Sequence, residues 1–291
     1  MMRSLKQGLK QRLLLADGSV SRILAQGVYD KGRDLMGVDG LTDALNLMRN
    51  EIVVGVHKQF LKAGADVIRT NTLASSPLSL ARVGLAEEAF LINYTGAQAA
   101  AAAIDAVPGQ GRRRFVLGVV RNDGWPDNPQ AIEQATDIQV QALIAGGCDG
   151  VLIDTLPGVG SIQATLNGAL AARAKLDSDV PVFLQGKAGA PSFGGQTIAR
   201  CDGLVGYASG DTRKAEWIER AVADAALNLI SGSGSVVDTV RLDSCLRSVA
   251  DDGFRPERQW FNEKTVREEF APVSSWRQFP EEAVREPAAV N

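Results

Sequence analysis

Apolar positions along this chain alternate between two patterns, helical spacing over 12 to 20 residues and short unbroken runs. Ile52, Val53, Val56, Phe60 and Leu61 follow the helical spacing and predict a helix over 50–63. Gly64 supplies the left-handed residue on which such a helix stops. Val67 and Ile68 are then the body of a short buried strand, and Thr70, Asn71 and Thr72 stand at its tip. The same succession recurs. Leu13 to Ala16 form a strand ending in Asp17-Gly18-Ser19, preceded by a polar helix or arm, and residues 27–50, with Gly27, Gly32, Gly37 and Gly40, read as a long loop. A helix over 87–106 leads to the strand Phe115–Val120 with the tip Arg121-Asn122-Asp123. Pro129–Ala145 carries Ile132, Ala135, Ile138, Ala142 and Leu143 on one face, stops at Gly146-Gly147, and hands over to Val151–Ile153 with the tip Asp154-Thr155. A helix over 161–176 precedes Val182–Leu184, ending in Gln185-Gly186, and the strand Leu204–Ala208 ends in Ser209-Gly210 before a helix over 213–230.

Strands alternating this regularly with helices predict parallel pairing through right-handed crossovers. An open doubly wound sheet and a closed barrel both satisfy that rule. No strand is followed by the glycine-rich turn of a dinucleotide fold, Gly158-Val159-Gly160 being a weak echo, so the reading is an α/β, TIM-type (β/α)8-like barrel. Only six strand units are plain. The barrel is therefore expected over 1–232, incomplete or irregular in its last strands, with 233–291 an irregular segment in which Val236–Val240 resembles a strand and 242–249 a short helix. From Arg255 the chain reads as an extended arm whose Trp260, Phe261, Phe270, Trp276 and Phe279 recur among charges and prolines. Such an arm packs on the barrel or on another subunit, which points to a homo-oligomer.

Composition narrows the functional classes. With 45% hydrophobic and 22% charged residues and a net charge of −3, the chain has no basic excess to suggest nucleic acid or an anionic membrane, and small polar or acidic metabolites remain open. No apolar run reaches membrane-spanning length, and three scattered cysteines, Cys148, Cys201 and Cys245, fit a reducing cytoplasm better than a disulfide framework. One histidine, His57, precludes a histidine-rich metal site; on its helix it is expected to pack.

In parallel α/β sheets ligands gather at the carboxyl ends of the strands. Asp17 and Asp154, at two such ends, are candidate ligands for a substrate or cation, or caps of the helices that follow. Asn71, with Thr72, either orients a substrate or satisfies loop amides. Arg121, Asn122, Asp123 and Gln185 could grip a carboxylate or phosphate or be solvated loop, and Tyr207 faces the mouth or fills the core; the core is favoured.

These residues carry a resemblance. Asp17-Gly18-Ser19, Asp43 through Leu47 with Asn50 to Val53, His57 with Ala63 through Thr72, Ile92-Asn93 with Gly96-Ala97, Leu117-Gly118, and Gly147-Cys148-Asp149 through Asp154-Thr155 together resemble the homocysteine-binding barrel of the zinc-dependent homocysteine S-methyltransferases. The resemblance implies methyl transfer to a small acceptor, with Asp17 and Asp154 holding an amino acid's ammonium; the family has glutamate at the second place, so Asp154 reaches one methylene less far. Asn71, Thr72 and Ser209 complete the expected substrate site, and a corrinoid or folate methyl donor is the implied partner. The family's zinc is held by one cysteine at the sixth strand and an adjacent pair at the eighth. Here Gly206-Tyr207-Ala208-Ser209 ends in serine and no paired cysteines occur, so no metal ligand is expected from this chain. Without zinc, a thiol of pKa about 8.5 is only a few per cent ionised at neutral pH. The expectation is therefore a methyltransferase without the usual thiolate zinc site or, alternatively, a non-catalytic relative acting as a binding subunit.

Overall fold

The computed structural model of the chain describes residues 4–107, 112–121, 128–154, 162–186, 200–210, 212–213, 215–224, 227–232 and 234–251. Within them seven parallel strands are formed: β1 Leu14–Leu15, β2 Val67–Arg69, β3 Phe115–Val120, β4 Gly150–Ile153, β5 Val182–Gly186, β6 Gly203–Gly210 and β7 Leu229–Gly232. They pair in the order β1-β7-β6-β5-β4-β3-β2. A parallel bridge from Ala16 to Val67 brings the two ends of this order together, so the sheet closes as an α/β barrel. Helices Asn50–Lys62, Ala89–Ala106, Pro129–Ala145, Ile162–Lys175 and Ala215–Ala223 lie in the connections, and Val236–Asp251 follows β7.

Local chemistry accounts for the boundaries. The helix Asn50–Lys62 buries Val53, Val56, Phe60 and Leu61, and Gly64 at φ +106° ends it, with Ala65 N–H returning to Phe60 O at 3.1 Å. An acid then precedes every second strand. Asp66 accepts from Leu15 N–H at 3.1 Å, Asp149 from Val116 N–H at 2.8 Å and Asp202 from Val182 N–H at 2.9 Å. Each carboxylate thus satisfies a donor at the start of the neighbouring strand, beyond the reach of the backbone ladder.

Two apolar layers result. Inside the barrel Leu14, Val67, Phe115, Leu152, Phe183, Val205 and Leu229 pack with Leu5 and Leu9, which belong to the first helix, Leu5–Gln11. That helix closes the amino-terminal end of the barrel, tied by Asn228 Nδ2 to Leu9 O at 2.9 Å. The outer layer lies between strands and helices, where Phe60 and Leu61 are fully buried. Burial of such a side chain contributes about 1.5–3 kcal/mol.

The last strands differ from the sequence reading. The helix over 213–230 ends at Ala223, Leu229–Gly232 is a strand, and the expected strand Val236–Val240 is the first turn of a helix. Tertiary pairing decides this: Leu229 and Ile230 are registered with Tyr207 and Ala208 on one side and with Leu14 and Leu15 on the other. β7 therefore takes the place beside β1 that the last strand of an eight-stranded barrel would occupy. The arm from Arg255, the tip residues Asn122, Asp123 and Thr155, and Gly158-Val159-Gly160 lie outside the described residues.

Candidate functional site

Strand parity sets up the mouth of the barrel. Side chains alternate across a strand, so Arg69 shares the inward direction of Val67, two residues before it. Its guanidinium lies across the first strand tip. Nε donates to Asp17 Oδ1 at 2.8 Å, one terminal nitrogen donates to Asp17 O at 2.8 Å and Gly18 O at 2.9 Å, and the other to Tyr207 Oη at 3.0 Å. The backbone N–H of Arg69 donates to Asp17 Oδ2 at 3.1 Å. Tyr207 Oη in turn shares a 2.7 Å hydrogen bond with Ser231 Oγ.

Asp17 is fully buried, and its burial pushes the carboxyl up to about 6 against the pull of Arg69's charge and hydrogen bonds. Arg69, facing Asp17 and Tyr207, is held in its charged form. The following helix, Val20–Leu24, is capped by Ser19, not by Asp17. Gly18 makes the turn possible, since a Cβ there would lie 2.8 Å from the Gly234 carbonyl carbon.

The fourth tip has the same form. Asp154 is paired with Arg121, whose Nε donates to Oδ2 at 3.0 Å, while Gln185 Nε2 donates to Oδ1 at 2.9 Å. Both acids singled out in the sequence are thus compensated by arginines of the same chain.

Between these tips is a cavity of about 270 Å³, lined among others by Asp17, Arg22, Arg69, Asn71, Arg121, Asp154, Gln185, Tyr207, Ser209 and Ser231. The structure therefore brings Asp17, Asn71, Asp154 and Ser209 together. Asn71 spends its Nδ2 on Thr42 O at 3.0 Å and Asn46 Oδ1 at 3.2 Å, so that nitrogen holds the long loop in place. Thr72 turns into the wall, donating to Val119 O at 2.9 Å. Asp43, another buried carboxyl pushed up to about 6 by burial, fixes the same loop through Ala74 N–H at 3.0 Å and Ser75 Oγ at 3.1 Å. Arg69 and Ser231 escaped the sequence reading, and Tyr207 reaches the mouth as well as the core. Arg69 had a signal: a charge in the inward phase of an otherwise apolar strand.

Comparison with known proteins settles the family. The homocysteine S-methyltransferase profile matches residues 14–207. The chain belongs to the homocysteine S-methyltransferase family. It is 26% identical over 180 residues to methionine synthase of Mycobacterium tuberculosis and 24% identical over 186 residues to that of Mycobacterium leprae, covering 60% and 62% of this chain. It spans 15% of the length of each. The homocysteine methyltransferase MmuM of Escherichia coli, in its metallated form, shares the fold with a TM-score of 0.63 at 18% identity, covering 81% of this chain and 97% of that one.

The zinc expected of this family does not fit the residues present. Near its end β6 carries Ser209, and β7 carries Ser231 as its register partner, while the Ser231 hydroxyl is engaged with Tyr207 and Gly232 O. Neutral hydroxyls are poor substitutes for zinc thiolates. Cys148 and Cys201 precede β4 and β6 at the opposite end of the barrel, with burial pushing the Cys148 thiol up to about 12. Cys245 packs with Leu13, Leu15 and Ile218. Among the described residues no cluster of histidine, cysteine or carboxylate groups is suited to a metal ion, and no helix is long and apolar enough to cross a membrane.

Proposed function

We propose that this chain is a methyltransferase that carries a methyl group between a small donor and a small acceptor held in the mouth cavity, without thiolate-bound zinc. The observation that carries this reading is the cavity itself, placed at the carboxyl ends of the strands of a homocysteine S-methyltransferase barrel and furnished with paired charges and hydroxyls. Arg69 and Asp17 fix its floor, Arg121 and Asp154 its far wall, and Ser209 stands at the strand tip where the resemblance puts one zinc cysteine, with Ser231 its register partner on β7. With no thiolate site to ionise a thiol, the acceptor must be nucleophilic by itself or the donor must be strongly activated. The methionine synthase relatives make a corrinoid- or folate-bound methyl group the donor to test first.

A second reading, a non-catalytic binding subunit, is favoured by one observation: both mouth carboxylates are already paired within the chain. A methyl-transfer assay separates the two. Purified protein is supplied with methylcobalamin, methyltetrahydrofolate or a methylsulfonium donor and with thiol and amine acceptors, with and without added zinc. Zinc-independent turnover is the expected result. Turnover only with stoichiometric zinc would overturn the metal-free reading, and saturable ligand binding without turnover for any pair would establish the binding subunit instead.

A further inference from the structure

The floor of the mouth cavity already contains a cation. Arg69 is four-fifths buried, contacts both oxygens of the Asp17 carboxylate through its backbone N–H and its Nε, and is anchored on the carbonyls of Asp17 and Gly18. Tyr207 and, behind it, Ser231 extend this anchorage to β7. Arg121 meets Asp154 across the cavity, and Arg22 also lines the wall. The charged groups on the described lining are thus three arginines and two aspartates, each aspartate lying against an arginine.

A ligand ammonium approaching Asp17 has to displace a planar donor that is held at four acceptor atoms, and it does so against like charge. A carboxylate or a neutral acceptor meets no such opposition. We propose that Arg69 is a specificity-determining residue that closes the Asp17 end of the cavity to amine-bearing ligands and leaves the site to small organic acids without an amino group. This inference rests on the mouth cavity being the substrate site of the proposed function, and it names the class of molecule that site takes.

The test compares two ligands that differ only in the amino group, homocysteine and 4-mercaptobutanoate, by titration calorimetry on the wild type, Arg69→Met and Arg69→Met/Asp17→Asn. Wild type is expected to bind the amino-free acid at least tenfold more tightly. Arg69→Met exposes Asp17 and gains at least tenfold in homocysteine affinity, and the double variant loses that gain. Wild type binding homocysteine as tightly as 4-mercaptobutanoate would overturn the proposal, as would a folded Arg69→Met with no gain for homocysteine. Arg69→Gln, which keeps a neutral donor beside Asp17, replaces Arg69→Met if the latter does not fold. Failure of the methyl-transfer reading alone leaves the order of affinities intact and removes only turnover.

Discussion

His57, the single histidine of the chain, offers the sharpest test of the packing described above. It is fully buried in the helix Asn50–Lys62, and among the described residues neither ring nitrogen has a hydrogen-bond partner. Burial drives its pKa from 6.5 down to about 3. A base with a depressed folded pKa is protonated first in the unfolded chain, so its contribution to stability is intact above pH 7 and is lost as pH falls toward 3. Linkage with these two pKa values gives a loss of about 2 kcal/mol at pH 5 relative to pH 8.

Asp17 and Asp43, both raised to about 6, act in the opposite sense: the folded state takes up their protons first, so they favour folding as pH falls from 6 toward 4. The pH profile of the wild type alone therefore mixes several effects, these and those of other shifted carboxyls such as Asp66 and Asp149. The difference between wild type and His57→Met isolates one. Replacing an unsatisfied buried donor by an apolar side chain should gain about 1–3 kcal/mol at pH 8. At pH 5 the gain should be about 2 kcal/mol larger. Urea unfolding followed by circular dichroism at both pH values, at fixed ionic strength, measures the two gains. Equal gains at pH 5 and pH 8 would refute the buried, neutral His57, as would a histidine NMR signal titrating near pH 6.

Three further outcomes follow from contacts within the chain. Asp66→Ala, which takes the carboxylate from Arg12, leaves Arg112 with Asp243 alone and removes the acceptor for Leu15 N–H, should cost about 1–3 kcal/mol in urea unfolding; an unchanged unfolding midpoint would show that these contacts contribute nothing to stability. Gly96→Ala would place a Cβ 2.6 Å from Asn46 Nδ2, the nitrogen that donates to Asn71 O and Ile92 O, and should cost about 1–3 kcal/mol with faster amide exchange at residues 42–48. Unchanged exchange there would separate the loop from this contact. Tyr207→Phe removes the hydroxyl joining Arg69 to Ser231 and should cost about 1–2 kcal/mol by thermal or urea unfolding, with no loss expected if Tyr207 only fills the core.

Much of this was legible in the residues because it is written in local rules. Gly64, Gly147 and the apolar runs after them mark where helices stop and strands begin, and β2 to β6 lie where those signals place them. Leu229 and Ile230 carry no such mark. They continue the apolar phase of the preceding helix and become a strand only because β6 and β1 offer hydrogen bonds on both sides. The mouth shows the same division. Asp17, Asn71, Asp154 and Ser209 are visible as polar residues at strand tips, but that Asp17 is neutralised from β2 and Asp154 from Arg121 depends on register between segments 52 and 33 residues apart.

The ring is fastened unevenly. β1 is two residues long, and its junction with β2 rests on the bridge at Ala16 and Val67, with main-chain bonds from Asp66 N to Leu15 O at 2.7 Å and from Asp17 N to Val67 O at 2.9 Å. Side chains clasp the same junction from both ends, Asp66 on Leu15 N–H below and Arg69 on Asp17 above. The upper clasp is also the floor of the mouth. A ligand that braces Arg69 against Asp17 therefore reinforces the junction, and one that displaces Arg69 removes its upper clasp and leaves the main-chain bonds and Asp66 to hold it. Occupancy of the mouth should thus be readable in how quickly the amides of Asp17, at the floor, and Asp66, at the other end of the junction, exchange with water.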